Sequence, residues 1–293
     1  MPSKPKMTDD ERRAYSARMR GELEAVMDRA YGAMVADEGF WAAVMRTAAT
    51  LGDRSPVNCI AIAAQCPRAT RVLSSGDWRK AGRFPVKGST SIRIWTPIRR
   101  RTDDAQAATE AGPREAVEGA PEGEGRRVSG YKAGPVFDIS QTDGDGDACE
   151  QPAAAPLAAE AVRDILLDQY RDWYHEDPEQ AGGFDFTREA PDAAARILAY
   201  GHAWRRITEA AAPLPGQQLA EVASAAHVAE LILGIAPGPA VMPPLAGIIT
   251  QDKKPPVHES AVRVIETGRA IAHAVTAAAE RRRELAVAGL TQV

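Results

Sequence analysis

Cysteine is scarce in this chain: among 293 residues only Cys59, Cys66 and Cys149 occur. An odd number with no C-x-x-C pair supports neither a disulfide framework nor a cysteine-ligated zinc site, so Cys59 and Cys66 read as small core residues. Long apolar runs are missing too. The longest such stretch, residues 228–250, is interrupted by Pro237, Pro239, Pro243 and Pro244, and the N-terminal MPSKPKMTDDERR has no apolar core. Neither a membrane span nor a signal peptide is expected, which points to a cytoplasmic protein with no membrane partner. The chain also has no excess of positive charge: 36 lysines and arginines stand against 40 aspartates and glutamates, a formal charge of −4. With 44% hydrophobic residues it can still bury a sizeable core, and its length suggests one or two domains.

Against that acidic background one stretch is basic. Between residues 68 and 101 stand Arg68, Arg71, Arg79, Lys80, Arg83, Lys87, Arg93, Arg99, Arg100 and Arg101, opposed by Asp77 alone. Trp78, Phe84 and Trp95 are interleaved with them. Cations for phosphates and aromatic faces for bases are the ingredients of a groove for single-stranded nucleic acid.

The surrounding pattern supplies a scaffold. Thr8 and Glu11 form a capping box ahead of a helix whose apolar stripe is Tyr15, Met19, Leu23, Val26 and Met34. A second helix from Asp37 to Gly52 buries Phe40, Trp41, Val44, Met45 and Ala48. Ser55 and Pro56 open a short buried helix ended by Pro67; its Asn58 and Gln65 can satisfy neighbouring backbone groups or contact DNA. Residues 71–73 suggest a short strand, Ser74 caps a turn that either anchors or displays Trp78, and residues 84–89 read as a turn. Lys87 and Gly88 there suit a hairpin turn as well as a phosphate contact. The next strand is clearer: Ile92 and Ile94 alternate with Arg93 and Trp95, so buried isoleucines would leave arginine and indole together on the other face, unless Trp95 covers a second apolar layer.

Residues 102–127 are rich in Asp, Glu, Ala, Gly and Pro without periodicity, and read as a disordered insertion between two strands. Val136, Phe137 and Ile139 then form a core strand with Asp138 and Gln141 at its polar end. Asp143, Asp145 and Asp147 lack the glycine and closing glutamate of a calcium loop, so that segment reads as linker.

Several of these blocks also carry a likeness. Asn58 with the apolar run to Gln65, then Cys66-Pro67-Arg68-Ala69-Thr70, Trp78, Gly82-Arg83, Val86-Lys87-Gly88, residues 92–97 and Pro135-Val136-Phe137-Asp138-Ile139-Ser140-Gln141-Thr142 resemble, in order, the N-terminal domain of ArdC-type antirestriction proteins. The resemblance covers about the first half of the chain. It implies binding of single-stranded DNA, in a family that usually joins this domain to a C-terminal zinc peptidase-like domain and is carried by plasmids, phages and other mobile elements.

The second half, from about residue 153, reads as all-helical: a helix marked by Leu157, Val162, Ile165, Leu166, Tyr170 and Trp173, one over residues 192–211 with Ile197, Leu198, Ala199, Trp204 and Ile207, and two more over 219–234 and 259–285. The last finishes in Arg281-Arg282-Arg283, which suits the negative end of a helix dipole. The His-Glu-x-x-His that such a peptidase needs to grip zinc and activate water is missing. Aligning Leu198-Ala199-Tyr200-Gly201-His202-Ala203-Trp204 with that helix puts Tyr200, Gly201 and Trp204 at the ligand and base positions, and His258-Glu259 lacks its second histidine. The helices that follow resemble the elements beyond a peptidase site, so this half reads as a degenerate scaffold. His175, His202, His227 and His273 stand singly, as surface or packed imidazoles.

The expected architecture is α+β: N-terminal helices packed on a small antiparallel sheet over residues 1–148, followed by an all-helical domain over 153–293. The expected function is sequence-tolerant binding of single-stranded DNA through Asn58, Gln65, Arg68, Arg71, Trp78, Arg79, Lys80, Arg83, Lys87, Arg93 and Trp95, with no catalysis, metal or cofactor. Two alternatives are a metal-dependent peptidase with a site assembled from scattered residues, and a helical half that docks a partner in a conjugation or replication complex.

Overall fold

The computed structural model describes residues 7–101, 126–144, 156–174, 186, 188–210, 215–245 and 255–289. Among them the fold is α+β, with eight helices and five short strands. The chain divides into two compact units, one made of Met1–Ala30 and Ile60–Asp145, the other of Tyr31–Cys59 and Gly146–Val293. The boundary therefore differs from the linear one that the sequence suggests: residues 31–59 belong with the C-terminal helices.

The first unit holds α1 (Asp9–Met34) as far as Ala30, and the helix opens on the expected capping box, where Thr8 N–H donates to Glu11 Oε2 at 2.7 Å and Glu11 N–H to Thr8 Oγ1 at 3.3 Å. Its buried stripe is Met19, Leu23, Met27, Ala30 and Met34, while Tyr15 is exposed. Helix α3 (Pro56–Gln65) starts at Ser55, whose Oγ accepts from Asn58 N–H, and buries six consecutive residues from Asn58 to Ala63. Strand β1 (Val72–Leu73) pairs antiparallel with β4 (Arg126–Asp138), which pairs with β3 (Ile92–Arg101), so the sheet order is β1-β4-β3. Between β1 and β3 lie α4 (Ser75–Lys80), capped by Ser74, and β2 (Arg83–Pro85). After β4 a 3-10 turn (Ile139–Gln141) leads to β5 (Thr142–Gly144), which pairs with β2 in a separate two-stranded ladder. Two expectations change here. Of the turn expected over residues 84–89, Phe84 and Pro85 are strand and the turn is confined to 86–89, and Ile139 belongs to the 3-10 turn and not to the strand. The expected insertion lies outside the described residues, except that β4 already begins at Arg126.

The second unit is helical: α2 (Glu38–Thr50), α5 (Ala159–Tyr174), α6 (Pro191–Ala210), α7 (Pro215–Leu233) and α8 (Pro256–Val287). Small residues let these helices approach closely. At Gly268 of α8 a Cβ would stand 2.6 Å from both Ala225 O and Val228 Cβ of α7. Helix α2 joins this unit because its polar atoms find partners there. Trp41 is fully buried and its indole N–H donates to Ser224 Oγ at 3.0 Å, and the Arg269 guanidinium donates to the carbonyls of Ala48, Leu51 and Arg54 that end α2 and follow it. Free carbonyls at a helix C-terminus attract such a cation. On α6, Leu198, Ala199 and Ile207 are buried as expected, but Ile197 and Trp204 are exposed with Tyr200. Positions 197, 200 and 204 share a helical face turned away from the stripe that includes Leu198 and His202.

Candidate nucleic-acid interface

Strand β3 behaves as its alternation requires. Ile92 and Ile94 are buried, and Arg93 and Trp95 lie half-buried on the opposite face. The antiparallel register puts Pro135 opposite Arg93, Ala133 opposite Trp95 and Tyr131 opposite Pro97, so Tyr131 shares the face with the arginine and the indole. Helix α1 adds Arg20, whose guanidinium carbon lies 5.7 Å from the centre of the Trp95 ring, close enough for a cation–π contact. Neither Tyr131 nor Arg20 could be found from spacing in the sequence. The first needs the register across the insertion, and the second comes from another element.

The edge of β3 is closed by a side chain. The Gln65 carboxamide accepts from Arg93 N–H at 2.9 Å and donates to Arg93 C=O at 2.8 Å, imitating one rung of a neighbouring strand, and also donates to Ala61 C=O. This corrects its place in the expected DNA contact set: its polar atoms serve the backbone. Asn58 is also removed from the surface, at 8% exposure.

Trp78 is corrected more firmly. The ring is fully buried, its N–H donates to Phe137 C=O at 2.8 Å, and Arg71 lies 6.0 Å from its centre. A base cannot stack on it without unfolding α4. Beside it, buried Asp138 accepts from the backbone N–H groups of Thr70, Arg71 and Ser140 and from the Ser140 hydroxyl. Burial alone would raise the pKa of this carboxyl, but those donors outweigh it and hold the group below its ordinary value. Gln141 completes a capping box by accepting from Asp138 N–H at 2.9 Å and donates to Thr90 C=O. Residues 137–141 are thus the joint between α4, the sheet and the turn before β3.

Of the remaining cations, Arg68, Arg79 and Lys87 are exposed, and among the described residues their side chains have no hydrogen-bond or ion-pair partner. Lys80 is exposed and paired with Asp77 at 2.8 Å. Arg83 is structural instead: Nε donates to Thr142 Oγ1 at 2.9 Å, Nη2 to Thr142 C=O at 3.0 Å and Nη1 to Gly144 C=O at 3.2 Å, so all three nitrogens are spent on β5.

That clamp builds a second surface, at the β2–β5 ladder. Phe84 stands opposite Asp143 in the register, and Phe84, Pro85, Val86, Lys87, Asp143 and Gly144 line an open groove of about 420 Å³. Phe84 is 53% exposed and Val86 48%. The backbone beneath them is fixed by Val86 N–H donating to Gln141 C=O and by the turn closed from Ser89 N–H to Val86 C=O. Gly88 takes φ +93°, and at Gly144 (φ +140°) a Cβ would stand 2.3 Å from Gly82 O, so the close approach of β5 to β2 requires glycine. The sequence singles out Phe84 as one ring of the basic stretch but not as the exposed one, because its partner Asp143 lies 59 positions further on, in a segment that reads as linker.

Among the described residues no group of three or more His, Cys, Asp or Glu can hold a metal ion. His202 is buried and bonded to Leu166 C=O at 2.9 Å; burial, with Arg206 and Arg205 nearby, pushes its pKa down to about 4. Tyr200 and Trp204, which the sequence alignment sets against the two histidines of a His-Glu-x-x-His motif, are exposed. No described helix is long and apolar enough to cross a membrane. Compared with protein-family models, with curated proteins and with solved structures, the chain gives no match.

Proposed function

We propose that the first unit binds single-stranded DNA with little regard for sequence, in the cytoplasm, as part of the protection or handling of a mobile element's DNA, and that the chain performs no catalysis. The observation that carries this reading is the β3 face: Arg93 and Trp95 stand together on the side opposite the buried isoleucines, with Arg20 and Tyr131 beside them. A strand holds such a ring rigidly, so a base that stacks on it pays little to order the protein, and each stacked base contributes about 1–3 kcal/mol whatever its identity. Arg68, Arg79 and Lys87 supply open charge for phosphates. The antirestriction role rests on the likeness to ArdC-type proteins alone.

Replacing Trp95 by alanine tests the reading. Anisotropy of a labelled oligonucleotide should show affinity falling about 5- to 100-fold while the melting temperature moves little. A large drop in melting temperature with binding unchanged would make the indole a core residue and remove the platform.

A further inference from the structure

The groove at the β2–β5 ladder has three chemically distinct parts within one small space. Phe84 offers an open apolar ring, extended by Val86 two positions along the chain. Lys87 offers an exposed ammonium with no partner among the described residues. Asp143, exposed and directly opposite Phe84, offers a carboxylate on the same face of the ladder, with one oxygen accepting from Gly144 N–H at 2.8 Å. A surface meant only to attract phosphate gains nothing from an acid at its centre, because like charges there repel. A surface that holds a whole nucleotide can use all three.

We infer that this groove is a subsite for one nucleotide of a bound single strand: base stacked on Phe84, phosphate on Lys87, and an exocyclic amino group of the base donating to Asp143. The inference rests on the single-strand reading above and adds a preference to it. Cytosine presents an N4 amino donor where thymine presents an O4 acceptor, so the carboxylate favours the first and repels the second. Rigidity comes from the Arg83 clamp and from Gly144, which fix the two strands that carry the ring and the acid.

The test uses the full chain and labelled oligo-dC and oligo-dT of equal length at fixed salt. Unmodified protein should bind oligo-dC several-fold more tightly. Asp143→Asn, which can both donate and accept, should bring the two affinities together. Phe84→Ala should weaken both about 5- to 100-fold without changing the melting temperature, since the ring is exposed, and Phe84→Trp should restore binding. The subsite is refuted if Phe84→Ala binds as the unmodified protein does, or if the dC to dT ratio survives Asp143→Asn. If the unmodified protein binds neither oligonucleotide, the single-strand reading itself falls; if Trp95→Ala weakens binding and Phe84→Ala does not, only this subsite falls.

Discussion

The two units bury a carboxylate by different means: backbone N–H groups and a hydroxyl hold Asp138 in the first, and side chains hold Glu221 in the second. In the helical unit Glu221, fully buried on α7, accepts from Gln217, from the Ser260 hydroxyl and from both Nε and Nη2 of Arg263 at 2.7–2.9 Å. Further along the same helix Ser224, His227 and Glu230 hold the following segment by its backbone, at Val241 and Gly238. In the sheet-bearing unit, Arg68, Arg79 and Lys87 stay in solvent with no partner among the described residues. Charges answered internally help specify a fold, whereas open charges of one sign on a folded surface repel one another until an anion meets them. The open cations of the first unit are those that the proposed binding would engage.

The contrast breaks most visibly through Arg263→Ala. Glu221 would be left buried and uncompensated, at a cost of about 3–5 kcal/mol, measurable as a large fall in denaturant midpoint with oligonucleotide affinity unchanged wherever the protein is still folded. A smaller and pH-dependent effect is expected at Glu230. Burial raises its pKa to about 7, against the pull of the Gly238 N–H and of Arg196. A carboxyl whose folded pKa lies above its unfolded value binds its proton more tightly when folded, so stability declines as pH rises from about 4.5 through 7. Glu230→Gln keeps an acceptor for Gly238 N–H and should remove that decline, raising stability at pH 8 by about 2–3 kcal/mol and by little near pH 4. Melting curves across this range check it, and an unchanged slope would mean that Glu230 does not titrate there. The smallest effect on stability belongs to Arg79→Ala. An exposed side chain away from any packing feature should shift it by no more than about 0.5 kcal/mol, yet oligonucleotide binding should weaken.

How much of this could be read from residues alone depended on distance along the chain. The Thr8 box, the Ser74 cap, the short buried α3 and the alternation of β3 are local, set by hydrogen bonds and periodicity within a few positions, and they fold as read. What escaped needs partners far apart. The ladder of β2 with β5 joins residue 84 to residue 143, Gln65 reaches Arg93, and Trp41 reaches Ser224. For the same reason Trp78 and Arg83 look alike with Arg79 and Lys87 in a basic string, yet the first pair is spent on Phe137, Thr142 and Gly144 while the second pair faces water. Side-chain type gave the chemistry of the surface, and only the fold sorts its members into clamps and contacts.

The central claim is that open cations of the first unit meet phosphates. Titrating the affinity of the unmodified chain for a single-stranded oligonucleotide against salt reads this directly. With Arg68, Arg79, Lys87 and Arg93 engaged, the log-log plot should fall with a slope of about −3, near −0.7 per phosphate neutralised. No binding at low salt, or an affinity indifferent to salt, would contradict it.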